Sequence, residues 1–155
     1  MSTSTHSRFI TKSVWPTASL GVVVVVIGIA VLGAADNVDA GQMMAGIGKV
    51  DITDRDARPV NDPLFVRALV LKVDGTSLVL VSVDAVAIGQ IGPIKSDYLP
   101  NVRSRVQREL KIPPSHVLIN ASHCHGRVCA DVDIRTIEAV KEATRNMVPV
   151  HIGVG

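Results

Sequence analysis

Sixteen Lys and Arg stand against 14 Asp and Glu in this chain of 155 residues, a net charge of +2. That balance excludes the basic footprint of a nucleic-acid binder, and four aromatics, two of them (Phe9 and Trp15) in the first 40 residues, leave almost nothing on which to stack bases. The 47% apolar content excludes a wholly disordered chain, and two cysteines exclude a disulfide-dense scaffold.

Residues 1–17 are rich in Ser and Thr and carry only Arg8 and Lys12 as formal charges. Leu20–Leu32 (LGVVVVVIGIAVL) is an unbroken apolar and glycine run, and Asp36 ends its small-residue exit. A basic start, an apolar middle and small residues at Val38-Asp39-Ala40 predict a secretory signal peptide cleaved after Ala40. The 19 uncharged residues from Thr17 to Ala35 are also just long enough for an uncleaved membrane anchor. Both readings export the rest of the chain and bring Cys124 and Cys129 to an oxidising compartment. The expected domains are therefore a signal or anchor over 1–40 and a folded unit over 41–155.

Gly41–Lys49 (GQMMAGIGK) is glycine-rich and runs into Val50–Thr53; Asp54–Asp62 reads as a charged, proline-punctuated loop. Leu64–Val73 and Ser77–Val83 read as strands joined by an Asp74-Gly75 hairpin turn. The second run, SLVLVSV, is continuous enough to be buried on both faces. Lys95–Leu110 reads as a helix with Val102, Val106 and Leu110 on one face, stopped by Pro113-Pro114. Arg103, Arg105 and Arg108 fall on its solvated side. His116–Ala121 is a short strand. Ile134–Met147, capped by Asp133, is a second helix with Ile137, Val140 and Ala143 in its stripe, and Val150–Val154 starts a last strand. The predicted fold is α/β: a partial mixed or parallel sheet with two helices, preceded by the signal or anchor helix. A strand left open at Gly155 suggests the amino-terminal segment of a larger catalytic domain.

One constellation carries chemistry. His123-x-His125 follows an apolar strand, and side chains two apart on a strand share a face, so both imidazoles can enter one site while Cys124 turns away. Ligands bind beyond the carboxyl ends of the strands in open α/β sheets. Imidazole suits Zn²⁺, but a catalytic zinc takes three protein ligands and an open position, of which these two histidines are at most two. Asp84, at the end of the neighbouring strand, is either a carboxylate orienting an imidazole or a strand-ending turn residue. His116 reads as a solvated strand start and His151 as an outward-facing position. Cys124 and Cys129 can pair as a small disulfide or join the histidines at a soft metal. A nucleophilic Cys124 is disfavoured because neighbouring strand positions face opposite ways. No G-x-S-x-G, phosphate-binding glycine loop or Cys-x-x-Cys is present.

Ala45–Thr53 (AGIGKVDIT) resembles the opening of the neutral/alkaline non-lysosomal ceramidase family. Asn61–Leu71 (NDPLFVRALVL), Leu80–Asp84 (LVSVD) and Val117–Gly126 (VLINASHCHG) are similar to that family's next blocks, in the same order. The resemblance implies an exported or membrane-tethered zinc hydrolase that cleaves the N-acyl amide of a lipid-like substrate at a membrane surface, with no nucleic-acid partner. It makes His123 a zinc ligand and His125 the catalytic residue that holds the substrate or the tetrahedral intermediate. The family block T-H-T-H-S-G-P stands here as Ser122-His123-Cys124-His125-Gly126-Arg127-Val128, so an arginine enters beside the site. The family's other zinc ligands lie beyond Gly155, which predicts that this chain alone is inactive. The alternative is a small exported, non-catalytic metal-binding or interaction protein that uses the H-x-H pair.

Overall fold

A computed structural model describes residues 41–57 and 59–153. The expected signal or anchor helix lies outside the described residues; among those described, no helix is long and apolar enough to cross a membrane. The fold is α/β, a five-stranded mixed sheet with two helices. Its strands are β1 (Met44–Asp51), β2 (Phe65–Val73), β3 (Thr76–Val83), β4 (Val117–Ala121) and β5 (Val148–Pro149), and its helices are α1 (Tyr98–Leu110) and α2 (Val132–Arg145). The strand order is β4-β3-β2-β1-β5. β3 and β4 are parallel and joined through α1; the other three pairings are antiparallel.

The β2–β3 hairpin forms as its turn residues dictate. Asp74 and Gly75 both adopt positive φ, 47° and 83°, as a type I′ turn requires, and this sets the register Val73↔Thr76. Both helices end near their predicted limits, although α2 starts earlier, with Asp131 at its amino-terminal boundary and Asp133 inside its first turn.

Three expectations need correction. First, the glycine-rich opening is itself a strand. β1 lies between β2 and β5, and its Gly46 and Gly48 are where α2 crosses the sheet. A Cβ at Gly46 would lie 1.9 Å from the Ala143 carbonyl oxygen, and one at Gly48 would lie 2.0 Å from that of Ala139. The glycines weaken strand propensity but let helix backbone rest directly on strand backbone. Second, β3 is buried on one face only. Val79, Val81 and Val83 are in the core, while Leu78 and Leu80 alternate outward to solvent. Third, the last strand is β5 at Val148–Pro149, not Val150–Val154. α2 stops at Arg145, and the chain reaches the free edge of β1 at once, where a proline without an N–H is tolerated.

The core lies between the sheet and the helices. Val66, Ala68, Val70, Val79, Val81, Val83, Val117 and Ile119 face Val102, Val106, Ile137, Val140 and Ala143. The two helices are tied by a buried bond of 2.7 Å between the Tyr98 hydroxyl and Thr136 Oγ1. Burial pushes the Tyr98 phenol up to about 12, so it stays neutral and available for that bond.

Candidate functional site

β3 and β4 end side by side, with Val83 opposite Ala121, and the chain segments leaving them stay paired. Ser122 N donates to Val83 O (2.9 Å) and Cys124 N to Ala85 O (3.0 Å). The two histidines therefore sit where the topology favours a ligand, beyond the carboxyl ends of parallel strands.

His123 and His125 do meet: their rings are edge to face, with centroids 5.1 Å apart. Strand alternation is not the reason. β4 stops at Ala121, and both histidines lie in the loop that follows. His123 takes a left-handed backbone (φ 63°), a conformation costly for a residue with a Cβ and held here by the flanking hydrogen bonds. His123 Nδ1 lies 3.0 Å from Val86 O. A carbonyl only accepts, so Nδ1 carries the proton, and the tautomer this selects has its lone pair at Nε2. Metal-binding imidazoles have this arrangement: one nitrogen is fixed by the backbone and the other is free to ligate. Cys124 packs partly buried against the core and, with His125, lines the cleft beside the loop.

Asp84 does not orient either histidine. Its carboxylate accepts Arg67 Nη1 at 3.0 and 2.9 Å, Phe65 N at 3.0 Å and Ser122 Oγ at 3.1 Å. It clamps the start of β2 and the ends of β3 and β4 in one place. Burial alone would raise its pKa. Arg67, the Phe65 N–H and the Ser122 hydroxyl outweigh burial and hold the carboxyl below its ordinary range. Ser122 and Arg67 thus position the loop that carries His123. A lone arginine in the apolar run LFVRALVL, facing the same side as a strand-ending aspartate, was the signal for this clamp.

The loop after His125 is fastened to the segment after β1. Thr53 bridges Val128, Asp54 N donates to Arg127 O (3.0 Å) and Cys129 N donates to Ile52 O (2.8 Å). Gly126 fits because a Cβ there would lie 2.5 Å from Leu64 Cδ1. Thr53 is buried and accepts Leu64 N through its hydroxyl at 2.8 Å. These contacts leave a cleft of about 350 Å³ bounded by His125, Cys124, Arg127, Asp54 and Asp62. The Arg127 guanidinium is 3.5 Å from Asp54 Oδ2, so the arginine at this loop closes one side of the cleft.

The remaining sequence candidates lie apart. His116 sits in a short 3₁₀ turn, half-buried, with Nδ1 donating to Ser77 O (3.0 Å), and is not a solvated strand start. His151 is exposed. Both cysteines are free thiols. Burial, together with the Asp131 carboxylate, pushes the Cys129 thiol up to about 12, which removes it from thiolate chemistry at neutral pH.

The donor set for zinc is partial. His123 is prepared as a ligand and His125 is beside it, but among the described residues no group of three or more His, Cys, Asp or Glu side chains converges. Those residues alone do not make the three-ligand site of a catalytic zinc.

No family model and no curated protein matches the sequence. Solved structures do match the fold. The neutral ceramidase of Pseudomonas aeruginosa superposes with a TM-score of 0.56 at 18% identity, over 72% of this chain and 23% of that one. A ceramidase complexed with C2 gives 0.55 at 17% identity, over 70% and 22%. The chain spans less than a quarter of the length of these structures, and its described fold is ceramidase-like.

Proposed function

We propose that this chain carries part of the centre of an exported, ceramidase-like amide hydrolase. The observation that carries the reading is His123. It stands beyond paired parallel strands with Nδ1–H tied to Val86 O, which leaves Nε2 to ligate. His123 would be one zinc ligand, the others coming from outside residues 41–153. Such a zinc, when bound, supplies a water acidic enough to attack an amide carbonyl near neutral pH. His125, edge-on to His123 at the cleft mouth, would hold the carbonyl or the oxyanion that replaces it. The substrate class is a lipid-like N-acyl amide met at a membrane surface, and the chain by itself is expected to be catalytically silent.

Zn²⁺ titration of the full chain against a chromogenic chelator tests the reading. We expect binding that His123→Ala abolishes and His125→Ala only weakens, with no cleavage of a fluorogenic N-acyl amide in mixed micelles. Zinc binding unchanged in His123→Ala would sink it. The convergence of only two imidazoles favours a second reading, a non-catalytic metal-binding protein. In that case bound zinc would raise the unfolding midpoint of the chain, and the amide would remain intact whatever polypeptide is added.

A further inference from the structure

His123 is held in place without being buried. Its side chain is exposed, its backbone keeps a φ of 63°, and β4 has already ended at Ala121. A residue with a Cβ persists in that conformation only where its surroundings over-determine it. With burial absent, hydrogen bonds must supply the restraint.

Two of these bonds are backbone rungs that carry the pairing of β3 and β4 past the ends of both strands: Ser122 N to Val83 O (2.9 Å) and Cys124 N to Ala85 O (3.0 Å). They fix the residues on either side of His123 and leave its own backbone to turn between them. Two further bonds use side chains, and together they close a ring. His123 Nδ1 meets Val86 O at 3.0 Å. From Val86 the chain runs back through Ala85 to Asp84, whose Oδ1 accepts Ser122 Oγ at 3.1 Å, and Ser122 leads again into His123. Asp84 therefore controls both ends of the His123–Val86 bond: one through the backbone, the other through the Ser122 hydroxyl. The carboxylate is itself a fixed post. It accepts Arg67 Nη1 at 2.9 Å and Phe65 N at 3.0 Å, both from β2, the central strand of the sheet.

We propose that Ser122 is a positioning residue for His123: its hydroxyl closes the ring that fixes which imidazole nitrogen carries the proton and where the other one points. The inference deepens the zinc-ligand reading and rests on it for one consequence, the metal affinity; the tautomer belongs to the metal-free chain. The partner of Nδ1 is a backbone carbonyl, which no substitution removes, so its alignment with the ring depends on the side chain that ties the loop to Asp84. Without that tie the turn at His123 relaxes, the imidazole swings off Val86 O, and both nitrogens share the proton. Loss of a partner that orients a metal-binding imidazole weakens metal binding by about 10–100-fold. A hydroxyl acting one step further out belongs at the lower end, roughly tenfold. Stability is little affected, because Ser122 is exposed and Asp84 keeps Arg67 and Phe65 N.

Long-range ¹H–¹⁵N NMR of the full chain at pH 8 without metal, with Zn²⁺ titration against a chromogenic chelator, tests this on wild type, Ser122→Ala and Ser122→Thr. We expect wild-type His123 in the Nδ1–H form. Ser122→Ala gives mixed tautomers at His123 and zinc binding roughly tenfold weaker, with a urea midpoint close to that of wild type. Ser122→Thr, which keeps the hydroxyl, restores both tautomer and affinity. A hydroxyl that only stabilised the fold would lower the midpoint and leave the tautomer alone, and that result overturns the inference. So does a Ser122→Ala variant with wild-type tautomer and affinity, or a Ser122→Thr variant that recovers neither. A tautomer that changes while the affinity does not supports the positioning and counts against His123 as the ligand. If wild type binds no zinc, the zinc-ligand reading fails, and the tautomer alone decides whether Ser122 positions His123.

Discussion

The two faces of one sheet use the same strands and the same alternation, yet they carry side chains of different size. Under the helices, β1 presents glycine and β2 and β3 present valine and alanine, so that α2 sits against the backbone of β1. On the other face the same strands present isoleucine, leucine, lysine and arginine, and no described residue covers the aliphatic ones. Small residues appear where an element has already docked; long ones appear where a surface is still available. The size of the side chain, more than its polarity, tells the two faces apart.

The sharpest way to break that comparison is to change adjacent residues of β1. Gly48→Val places its Cβ 2.0 Å from Ala139 O, and a helix backbone oxygen cannot move without lifting α2. A loss of about 3 kcal/mol or more is expected, a large share of a small domain's stability. Ile47→Thr, one residue away on the open face, is expected to change stability by less than about 0.5 kcal/mol. Urea midpoints of the two variants measure the difference; similar values would mean that α2 does not bear on β1.

That pair of positions also shows how far the sequence could be read. The hairpin was legible because Asp74-Gly75 is local chemistry, and the helices were legible because their stripes repeat every three to four residues. β1 was not, because its glycines argue against a strand until α2, nearly 100 residues later, is laid across them. The one-sided burial of β3 was equally invisible: LVLVSV is apolar at most positions, and only the third dimension shows that nothing among the described residues covers Leu78 and Leu80. At the site, the pairing of His123 with His125 was legible. Its cause was not: the left-handed turn at His123 and the Val86 carbonyl that fixes its tautomer are tertiary facts. Asp84 stands out in the sequence at the end of an apolar strand, but its partners Arg67 and Ser122 follow only from the register.

The site edge of the sheet separates the two faces, and Asp84 is its fastening. Asp84→Asn removes the charge that Arg67, Phe65 N and Ser122 converge on. A loss of about 1–2 kcal/mol is expected near neutral pH, the scale of a hydrogen bond to a charged group. The pH dependence has a definite sign. The folded-state pKa lies below the reference value of 3.8, so this contribution is fully present above that value and is lost as pH falls through the folded pKa. Thermal midpoints of wild type and Asp84→Asn should therefore differ most above pH 5 and converge in strong acid. A constant gap down to the lowest pH would show that the carboxylate charge is not what holds the clamp.

The smallest effect sharpens the comparison where the covered face meets the site loop. Cys129 packs against the core, and its amide is tied to Ile52 O. Its thiol pKa is raised from 9.0 to about 12, first by burial and then by the Asp131 carboxylate, which accepts its proton while being held by Arg135. A raised folded pKa means that the associated stability is intact below pH 9 and drains away as pH rises toward 12. At neutral pH none of that stability has been lost, and the effect that shows is on reactivity. At pH 8 the thiolate fraction is roughly a thousandfold below that of an unperturbed thiol, and alkylation proceeds through the thiolate. Pulse alkylation followed by tryptic mapping reads this directly, because cleavage after Arg127 separates Cys129 from Cys124. Cys129 should stay unlabelled at pH 8 in the folded chain and react promptly in urea. Prompt labelling without urea would place Cys129 with the open face rather than the covered one, and would return it to the donors available to a metal beside His123.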